Sequence, residues 1–179
     1  METPILKTVR LEIVPLSEEQ LAWYLDDYKK FSRKVGKTSR VILTETLIWA
    51  IRMKLEKMAN MDPGDHAWIT YWLIRLKESG FGIGMLGYKG IPDYMGQVEI
   101  GYGIDPGHQN KGYTTEAARR LIQWAFEDNC CQRIIAPGTR KDNIASNRVL
   151  EKLGMKIYQE TKEGFGWVLD RRDYLTSPE

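Results

Sequence analysis

A chain of 179 residues with 42% hydrophobic and 28% charged side chains is long enough to bury one sizeable core, and we expect a single domain over residues 1–179. Its 26 basic and 24 acidic residues leave a formal net charge of +2, so charge alone gives neither nucleic acid nor an anionic membrane a reason to be the main partner. The two cysteines are adjacent, which disfavours a disulfide between them and favours a reducing, cytoplasmic setting.

The N-terminal part of the sequence predicts a strand followed by two helices. Charges are interleaved with apolar residues in METPILKTVRLEIVPL, which predicts no signal peptide and an alternating strand closed by Pro15. Ser17, with acidic and amide residues behind it, predicts a capped helix start. Apolar residues recur every three or four positions over residues 44–60, and they predict a longer helix that ends before Pro63.

Three β-rich runs in the middle of the chain, HAWITYWLIRL, GFGIGMLGYKG and QVEIGYGIDP, predict an antiparallel meander. The second run carries Gly82, Gly84 and Gly87 at the spacing of a dinucleotide-binding motif. That motif must open a helix, whereas a turn follows here, so we interpret the run as a glycine-rich strand and regard an oxidoreductase as remote.

The last third of the chain alternates helices with strands. An apolar stripe predicts an amphipathic helix over residues 113–129, and CQRIIAPGT predicts a short buried strand. A second amphipathic helix is predicted over residues 143–153, with Gly154 as a left-handed C-cap. The runs MKIYQE and GFGWVLDRRDY predict a closing hairpin, so the order is β-α-α-β-β-β-α-β-α-β-β.

The stretch GHQNKGYTTEAARRLI places a glycine and a lysine directly before the first of these helices. A helix start carries unpaired N–H groups and a partial positive charge, so it attracts anions. Gly112 removes the Cβ that would keep a ligand from the backbone, and Lys111 adds a positive charge. A pyrophosphate could lie across residues 110–114. The alternative is a plain turn with Thr115 as the N-cap.

The element order and two motifs resemble the GNAT superfamily of acyl-CoA-dependent N-acetyltransferases, and in particular its ribosomal-protein N-terminal acetyltransferase branch. The loop pattern Q/R-x-x-G-x-G/A is filled by Gln109, Gly112 and Thr114. The pattern N-x-x-S-N-x-x-x-x-x-x-G is filled by Asn143, Ser146, Asn147 and Gly154. Thr114 departs from the small residue usual at its position, so its hydroxyl must either tuck away or bond a phosphate oxygen.

The resemblance implies an α/β (α+β) fold of three layers, with a twisted mixed sheet of about six to seven strands and helices on both faces. It implies transfer of an acetyl group from acetyl-CoA to a primary amine, either a protein N-terminus or a small-molecule amine. The implied partners are acetyl-CoA and the acceptor, without a metal, nucleic acid or membrane, and a homodimer is left open. The alternative is a non-catalytic acyl-CoA-binding module of the same fold.

Glu99 shares one strand face with Gly101 and Gly103, which leaves a bare backbone strip suited to a pantetheine arm. The strand should therefore part from CQRIIAPG to admit the ligand. Glu99 is the candidate general base, acting directly or through water; a solvent-facing glutamate is the alternative.

The resemblance implies a hydroxyl donor for the departing thiolate, but Leu150 stands where the family often has a tyrosine. Ser146 is the candidate on that helix, with Tyr102 and Tyr113 as further alternatives. Asn143 is interpreted as a contact to the pantetheine amides and, equally, as a helix cap. The predicted cofactor-binding residues are Ile104, Gln109, Asn110, Lys111, Gly112, Tyr113, Thr114, Asn143 and Ser146.

Overall fold

The structure is a computed structural model and describes residues 4–39 and 43–176. The elements of the N-terminal half are β1 (Leu6–Lys7), β2 (Leu11–Pro15), α1 (Glu18–Asp26), α2 (Tyr28–Lys34), α3 (Glu45–Ala59), α4 (His66–Ile69), β3 (Trp72–Leu76) and β4 (Gly82–Tyr88). The elements of the C-terminal half are β5 (Gln97–Ile104), α5 (Tyr113–Glu127), β6 (Arg133–Arg140), α6 (Ile144–Lys152), β7 (Lys156–Glu160), β8 (Gly164–Asp170) and α7 (Arg171–Thr176).

The strands form one sheet in the order β1-β2-β3-β4-β5-β6-β8-β7. Neighbouring strands are antiparallel except β5 and β6, which run parallel, so the sheet is mixed as predicted. The sheet has eight strands, one more than the upper predicted number, because the two-residue β1 adds to the edge beside β2.

Helices cover both faces of the sheet, which confirms the three-layer fold. Successive strand residues point to opposite faces. Ile13 accordingly packs in one core with Leu121 of α5, whereas the adjacent Val14 packs in a second core with Leu21 of α1 and Ile51 of α3. We refer to these as the α5 face and the α3 face.

The glycines of GFGIGMLG are part of β4, and no helix follows them. Their function in the fold is close packing. A Cβ on Gly84 would meet the carbonyl oxygen of Gly103 at 2.5 Å, and one on Gly87 would meet the carbonyl oxygen of Thr70 at 2.6 Å. Strands and turns pass too near these positions for any side chain, so the spacing reflects packing and not a nucleotide motif.

The prediction of a strand from residue 66 was wrong, because residues 66–69 form α4. A turn begins at Asp62, whose carboxylate accepts the N–H of Gly64, and it continues into this helix. Trp68 then packs against Trp124 and Tyr88, with ring centroids 4.7 and 5.2 Å away. Contacts across the α5 face therefore override the apolar pattern, and β3 begins at Trp72, where pairing with β2 starts.

The predicted last strand is also too long. Its pairing ends at Asp170, opposite Arg133 of β6, and residues 171–174 continue as part of α7. The helix places Tyr174 against Phe126 of α5 at a centroid distance of 5.2 Å. This aromatic contact lies across the fold, and local sequence does not reveal it.

In the described part of the chain, no helix combines the length and the apolar character required to span a bilayer. Cys130 is exposed and Cys131 is buried, and both are free thiols.

Candidate functional site

The parallel strands β5 and β6 are joined at one end and separate at the other. They pair only at Gln97–Arg133, Val98–Ile134 and Glu99–Ile135. Beyond this point β5 stays paired with β4 through Ile104, whereas β6 stays with β8. The predicted parting of the strands is confirmed, and we call the resulting opening the wedge.

The chemistry of β6 explains why it diverges. Its register with β8 shifts between Ala136 and Thr139, where Pro137 and Gly138 intervene. Proline has no backbone N–H to donate to a ladder, and Gly138 has a positive φ of 67°. Both residues interrupt regular pairing, so the backbone groups of β5 beside them are left for another partner.

One wall of the wedge is a strip of bare backbone. A Cβ built on Gly101 or Gly103 would meet no atom within 4 Å, so open space lies beside both glycines. Glu99 precedes this strip on the same face of β5, at the point where the strands separate. The strip can admit an extended chain that bonds to strand N–H and C=O groups.

The loop over residues 109–114 leads into α5, and we call it the phosphate loop. Gly112 is the N-cap residue, with a left-handed φ of 78° and no side chain capping the helix. The alternative with Thr115 as the N-cap is therefore wrong. A helix start of this kind exposes N–H groups at residues 113–115, which suits an anion. Asn110 also has a positive φ, of 60°.

The other residues of the phosphate loop differ in exposure. Gln109 and Lys111 are exposed, and the Lys111 ammonium donates to the carbonyl oxygen of Gly107 at 3.1 Å. Thr114 is only 9% exposed, so of the two alternatives the structure favours a hydroxyl that is tucked away. Ile104, at the end of β5, is partly buried against the core of the α5 face.

Arg10, which no sequence motif marks, braces the phosphate loop. Its guanidinium donates to the carbonyl oxygen of Lys111 at 3.0 Å and lies 4.4 Å from the centre of the Tyr113 ring. It also pairs with Glu116 at 2.7 Å. Burial opposes ionisation of Glu116, but hydrogen bonds from Thr8 and Arg10 outweigh burial and lower its pKa. The loop and the first turn of α5 are thereby tied to the edge of the sheet.

A second brace precedes the loop. The Asp105 carboxylate accepts from the Ser39 hydroxyl at 2.8 Å and contacts Nδ1 of His108 at 2.7 Å. These hydrogen bonds, led by that of His108, lower the pKa of Asp105. Ser39 lies far away in sequence, so only the folded chain shows this contact.

At the closed end of the wedge, the Glu99 carboxylate forms an ion pair with the Lys89 ammonium. Lys89 follows β4 directly, and its backbone N–H donates to the carbonyl oxygen of Glu99 at 3.0 Å. The Lys57 ammonium of α3 donates to the carbonyl oxygen of Lys89 at 3.3 Å. Glu99 is therefore held on the α3 face by a cation of the chain itself.

A buried lysine lies next to this pair. Lys54 of α3 is 8% exposed, and its ammonium donates to the carbonyl oxygens of Ile69 and Tyr88, the latter at 2.6 Å. Burial, followed by repulsion from Lys57 and Lys89, lowers the pKa of Lys54 to about 7. Helical periodicity predicts an apolar residue at such a position, so the sequence alone gave no signal for it.

On the α5 face, Ser146 and Tyr102 come together across the wedge. The Tyr102 hydroxyl donates to the carbonyl oxygen of Ser146 at 3.2 Å. Burial raises the pKa of Tyr102 to about 12, against a smaller lowering effect of its contact with Ser146. Tyr102 and Glu99 point to opposite faces of β5, so the two predicted catalytic residues, Glu99 and Ser146, lie on opposite sides of the wedge.

Asparagines fix the first turn of α6. Asn143 is its N-cap, with Oδ1 accepting the N–H of Ser146 at 3.1 Å, which confirms the capping interpretation. Asn147 accepts the indole N–H of Trp167 at 3.0 Å and donates to the carbonyl oxygens of Arg140 and Asn143. The asparagine pair of the second motif therefore positions α6 against β6 and β8.

A groove of about 570 Å³ runs along the outer face of α5 from the phosphate loop. It begins at Gly112 and Thr115 and reaches the end of α6. Its basic lining residues are Lys7, Arg119, Arg120 and Lys152. The groove therefore offers positive charge next to the exposed N–H groups at the start of α5. Among the described residues, no group of three or more His, Cys, Asp and Glu side chains could hold a metal ion.

The sheet opens between β5 and β6, next to the uncapped start of α5. The sequence motifs implied this arrangement. A model of the acetyltransferase (GNAT) domain family matches residues 10–156. The chain belongs to this family, and the predicted family is confirmed.

Relatives and solved structures agree with this assignment. Over 97 residues the chain is 37% identical to the uncharacterised N-acetyltransferase YjdG of Bacillus subtilis (strain 168), a match that covers 54% of the chain and 57% of that protein. The chain thus spans little more than half the length of this relative and of a second curated relative, the uncharacterised N-acetyltransferase YnaD of the same organism. A ribosomal-protein-S5-alanine acetyltransferase of Vibrio fischeri has a TM-score of 0.64 at 18% identity, with 98% of this chain and 100% of that chain covered.

A further solved structure is RimL, a ribosomal L7/L12 alpha-N-protein acetyltransferase in complex with coenzyme A. It has a TM-score of 0.60 at 17% identity, with 93% of this chain and 98% of that chain covered. At these identities the solved structures show that the fold is shared, and they show no more than that.

Proposed function

We propose that this chain is an acyl-CoA-dependent N-acetyltransferase that moves an acetyl group from acetyl-CoA to a primary amine. The observation that carries the proposal is the wedge between β5 and β6, which opens beside the uncapped start of α5. The wedge suits the thioester arm of the ligand, and the start of α5 suits its pyrophosphate. The two features lie side by side. The 179 residues are proposed to form one domain, and a cytoplasmic location and a homodimer stay predictions.

We assign the two ends of the ligand to different parts of the site. The backbone N–H groups at residues 113–115 hold the pyrophosphate, and the basic groove accepts the phosphate on the adenosine ribose. The pantetheine arm lies along the glycine strip of β5, so the acetyl group reaches the level of Glu99. The residues assigned to the phosphate end are Gln109, Asn110, Lys111, Gly112, Tyr113 and Thr114. The residues assigned to the arm are Ile104, Asn143 and Ser146.

Glu99 is proposed as the general base on the α3 face. An α-amine has an ordinary pKa of about 7.7–8.0 and a lysine about 10.4, so a proton must leave before the nitrogen attacks the thioester. The Glu99 carboxylate can accept that proton once the acceptor amine has displaced the Lys89 ammonium. The acceptor therefore approaches from the side of α1, α2 and α3.

Ser146 and Tyr102 are proposed to assist the leaving thiolate from the α5 face. The Tyr102 hydroxyl is protonated at neutral pH, as any tyrosine with the ordinary pKa of about 10 is, and burial raises its pKa further, to about 12. Its hydroxyl donates to the backbone carbonyl oxygen of Ser146, which holds the Tyr102 ring beside the first turn of α6. Leu150, where the family often has a tyrosine, is buried and supplies no donor.

The test is a panel of acceptors with acetyl-CoA, in which the release of free CoA thiol is measured. The panel includes peptides with free α-amines, lysine-like amines and small amines. Release above the rate without acceptor, with at least one class, is the expected result. Calorimetry with CoA, run in parallel, separates binding from turnover.

One observation favours a second candidate, a module that binds acyl-CoA without turnover. The carboxylate that would act as base is already held by Lys89. Tight CoA binding with no acceptor-dependent release across the whole panel would support this candidate and would overturn the enzyme. The absence of CoA binding would overturn both.

A further inference from the structure

Lys89 occupies the position that an acceptor amine has to reach. Its ammonium contacts the Glu99 carboxylate, at the residue where β5 and β6 stop pairing. An acceptor must bring its own amine to the same carboxylate and the same end of the wedge. A primary amine of the chain is therefore already placed as a nucleophile beside the proposed thioester position.

Hydrogen bonds on both sides of its Cα hold the backbone of Lys89 in place. Lys89 is bonded through its N–H to Glu99, at 3.0 Å, and through its carbonyl oxygen to Lys57, at 3.3 Å. The preceding carbonyl, of Tyr88, accepts from the buried Lys54 at 2.6 Å. Two lysines of α3 thus hold the end of β4, while the Lys89 side chain is 65% exposed, so a ligand in the wedge can reach its ammonium.

We propose that the chain acetylates its own Lys89 when no other acceptor is present. The inference rests on the proposed function, because it needs an acyl-CoA thioester in the wedge. Glu99 takes one proton from the Lys89 ammonium, and the Nζ lone pair attacks the thioester carbonyl. A C–N bond forms and the C–S bond breaks. The thiolate takes up the second proton that the nitrogen loses and leaves as CoA, and Glu99 releases its proton to solvent, so each chain yields one acetyl-lysine, one thiol and one free proton.

The product has a direct consequence for the site. An acetylated Nζ is a neutral amide, and it can no longer pair with the Glu99 carboxylate. Self-acetylation therefore stops after one turnover per chain and leaves Glu99 without its internal cation. Without an acceptor, the expected record is a burst of CoA thiol that approaches one equivalent per chain.

Lys156 is a matched control within the same chain. Its ammonium also pairs with a carboxylate, that of Asp173 at 2.6 Å, and its side chain is 72% exposed against 65% for Lys89. It lies on β7, outside the wedge. Simple chemical acetylation by acetyl-CoA modifies both lysines, whereas transfer within the site modifies Lys89 alone. Lys141, paired with Glu160 at 2.6 Å, is a second control.

The experiment incubates the full chain with acetyl-CoA without acceptor and measures acetylation at each lysine by peptide mass spectrometry over time. Lys89 is expected to react at least tenfold faster than Lys156 and Lys141, at a rate that does not depend on protein concentration. Glu99→Gln should slow Lys89 at least tenfold, because a positioned base contributes about 10²–10⁴-fold. Loss of the carboxylate makes chemical acetylation of an amine faster, not slower, so a decrease identifies catalysis.

Equal rates at the three lysines, or a Lys89 rate unchanged in Glu99→Gln, would overturn the inference. Its failure is distinguishable from failure of the proposed function. If CoA release depends on an acceptor and Lys89 stays unmodified, self-acetylation alone is rejected. If the chain does not bind CoA in calorimetry, self-acetylation and the proposed function are both rejected.

Discussion

Glu99 meets a cation before any substrate arrives, and this contact decides how its role can be tested. The Lys89 ammonium stabilises the carboxylate and keeps it in place, but an acceptor must displace it. Under the proposed function, binding of the acceptor and activation of its amine are coupled at a single carboxylate.

Glu99→Gln should lower kcat by about 10²–10⁴-fold while keeping the side-chain shape and CoA affinity. Two acceptors are needed, one with an α-amine and one with a lysine-like amine. An amine that arrives neutral needs no base, so its turnover depends on orientation and falls less in Glu99→Gln. Turnover is measured by thiol release and CoA affinity by calorimetry. Unchanged turnover with both acceptors would show that Glu99 is only a polar surface residue.

Gly112 combines a left-handed φ with the proposed phosphate contact, so a single substitution would mix strain with charge. Gly112→Asn and Gly112→Asp separate them, since both side chains tolerate φ near 78° and differ mainly in charge. The aspartate variant should bind CoA at least tenfold more weakly than the asparagine variant, a difference of about 1.4 kcal/mol. Both should unfold at similar urea concentrations. Equal dissociation constants would move the phosphate site elsewhere.

Lys54 should make stability depend on pH. Its pKa is about 7 in the folded chain and 10.5 in its ordinary state, so between these values the unfolded chain binds a proton that the folded chain lacks. Stability then rises with pH, by at most about 1.4 kcal/mol per pH unit for one proton. Urea unfolding between pH 7 and 9 measures this slope. Above pH 9, Cys131 makes stability fall with pH, because burial raises its pKa to about 11 and the folded chain keeps a proton that the unfolded chain loses.

The matched variants are Lys54→Met and Lys57→Met, which remove a buried and an exposed lysine from the same helix. Lys54→Met should flatten the rise in the free energy of unfolding between pH 7 and 9. Lys57→Met should preserve that rise. A Lys54→Met variant with the parent's slope would show that the rise comes from another group.

At the scale of elements, the start of α6 has both a structural and a proposed ligand function. Asn143 caps the helix through Oδ1. Asn143→Ala should therefore reduce the free energy of unfolding by about 1 kcal/mol, within a range of about 0.5–2, whereas Asn143→Asp keeps an acceptor for the cap. The aspartate variant loses the amide donors proposed for the pantetheine, so its CoA affinity should fall while its stability stays close to the parent's.

Chemical denaturation and calorimetry on the two Asn143 variants give the two readouts separately. If CoA affinity falls only in the variant that loses stability, Asn143 acts as a cap and contributes nothing directly to the ligand.

At the scale of the whole molecule, one sheet supplies both cores, so neither core can form without it. The parent should therefore unfold in one cooperative transition in calorimetry. Free CoA at about 100 times its dissociation constant should stabilise the folded state by about 2.7 kcal/mol and shift that transition upward as a unit. Two separate transitions, or a shift confined to part of the unfolding enthalpy, would contradict the single domain.

The sequence by itself determined the family, the order of most elements and the position of the phosphate loop. These depend on short-range rules: periodic apolar residues in α3 and α5, caps at Ser17 and Asn143, and Gly112 directly before α5. The bare strip of Gly101 and Gly103, together with the family resemblance, predicted that β5 parts from β6 to admit a ligand. Each signal lies within a few residues of the feature that it specifies.

Only the tertiary structure decided which distant groups meet. Arg10 contacts the phosphate loop, and Lys89 pairs with Glu99. Lys54 is buried next to the Lys89–Glu99 pair. An isolated arginine or lysine in a sequence would instead indicate a solvated charge. The α4 and α7 segments likewise became helical through aromatic contacts with α5. Electrostatic pairing and packing act through space, and their partners are set by the way the chain folds back on itself, which no local pattern encodes.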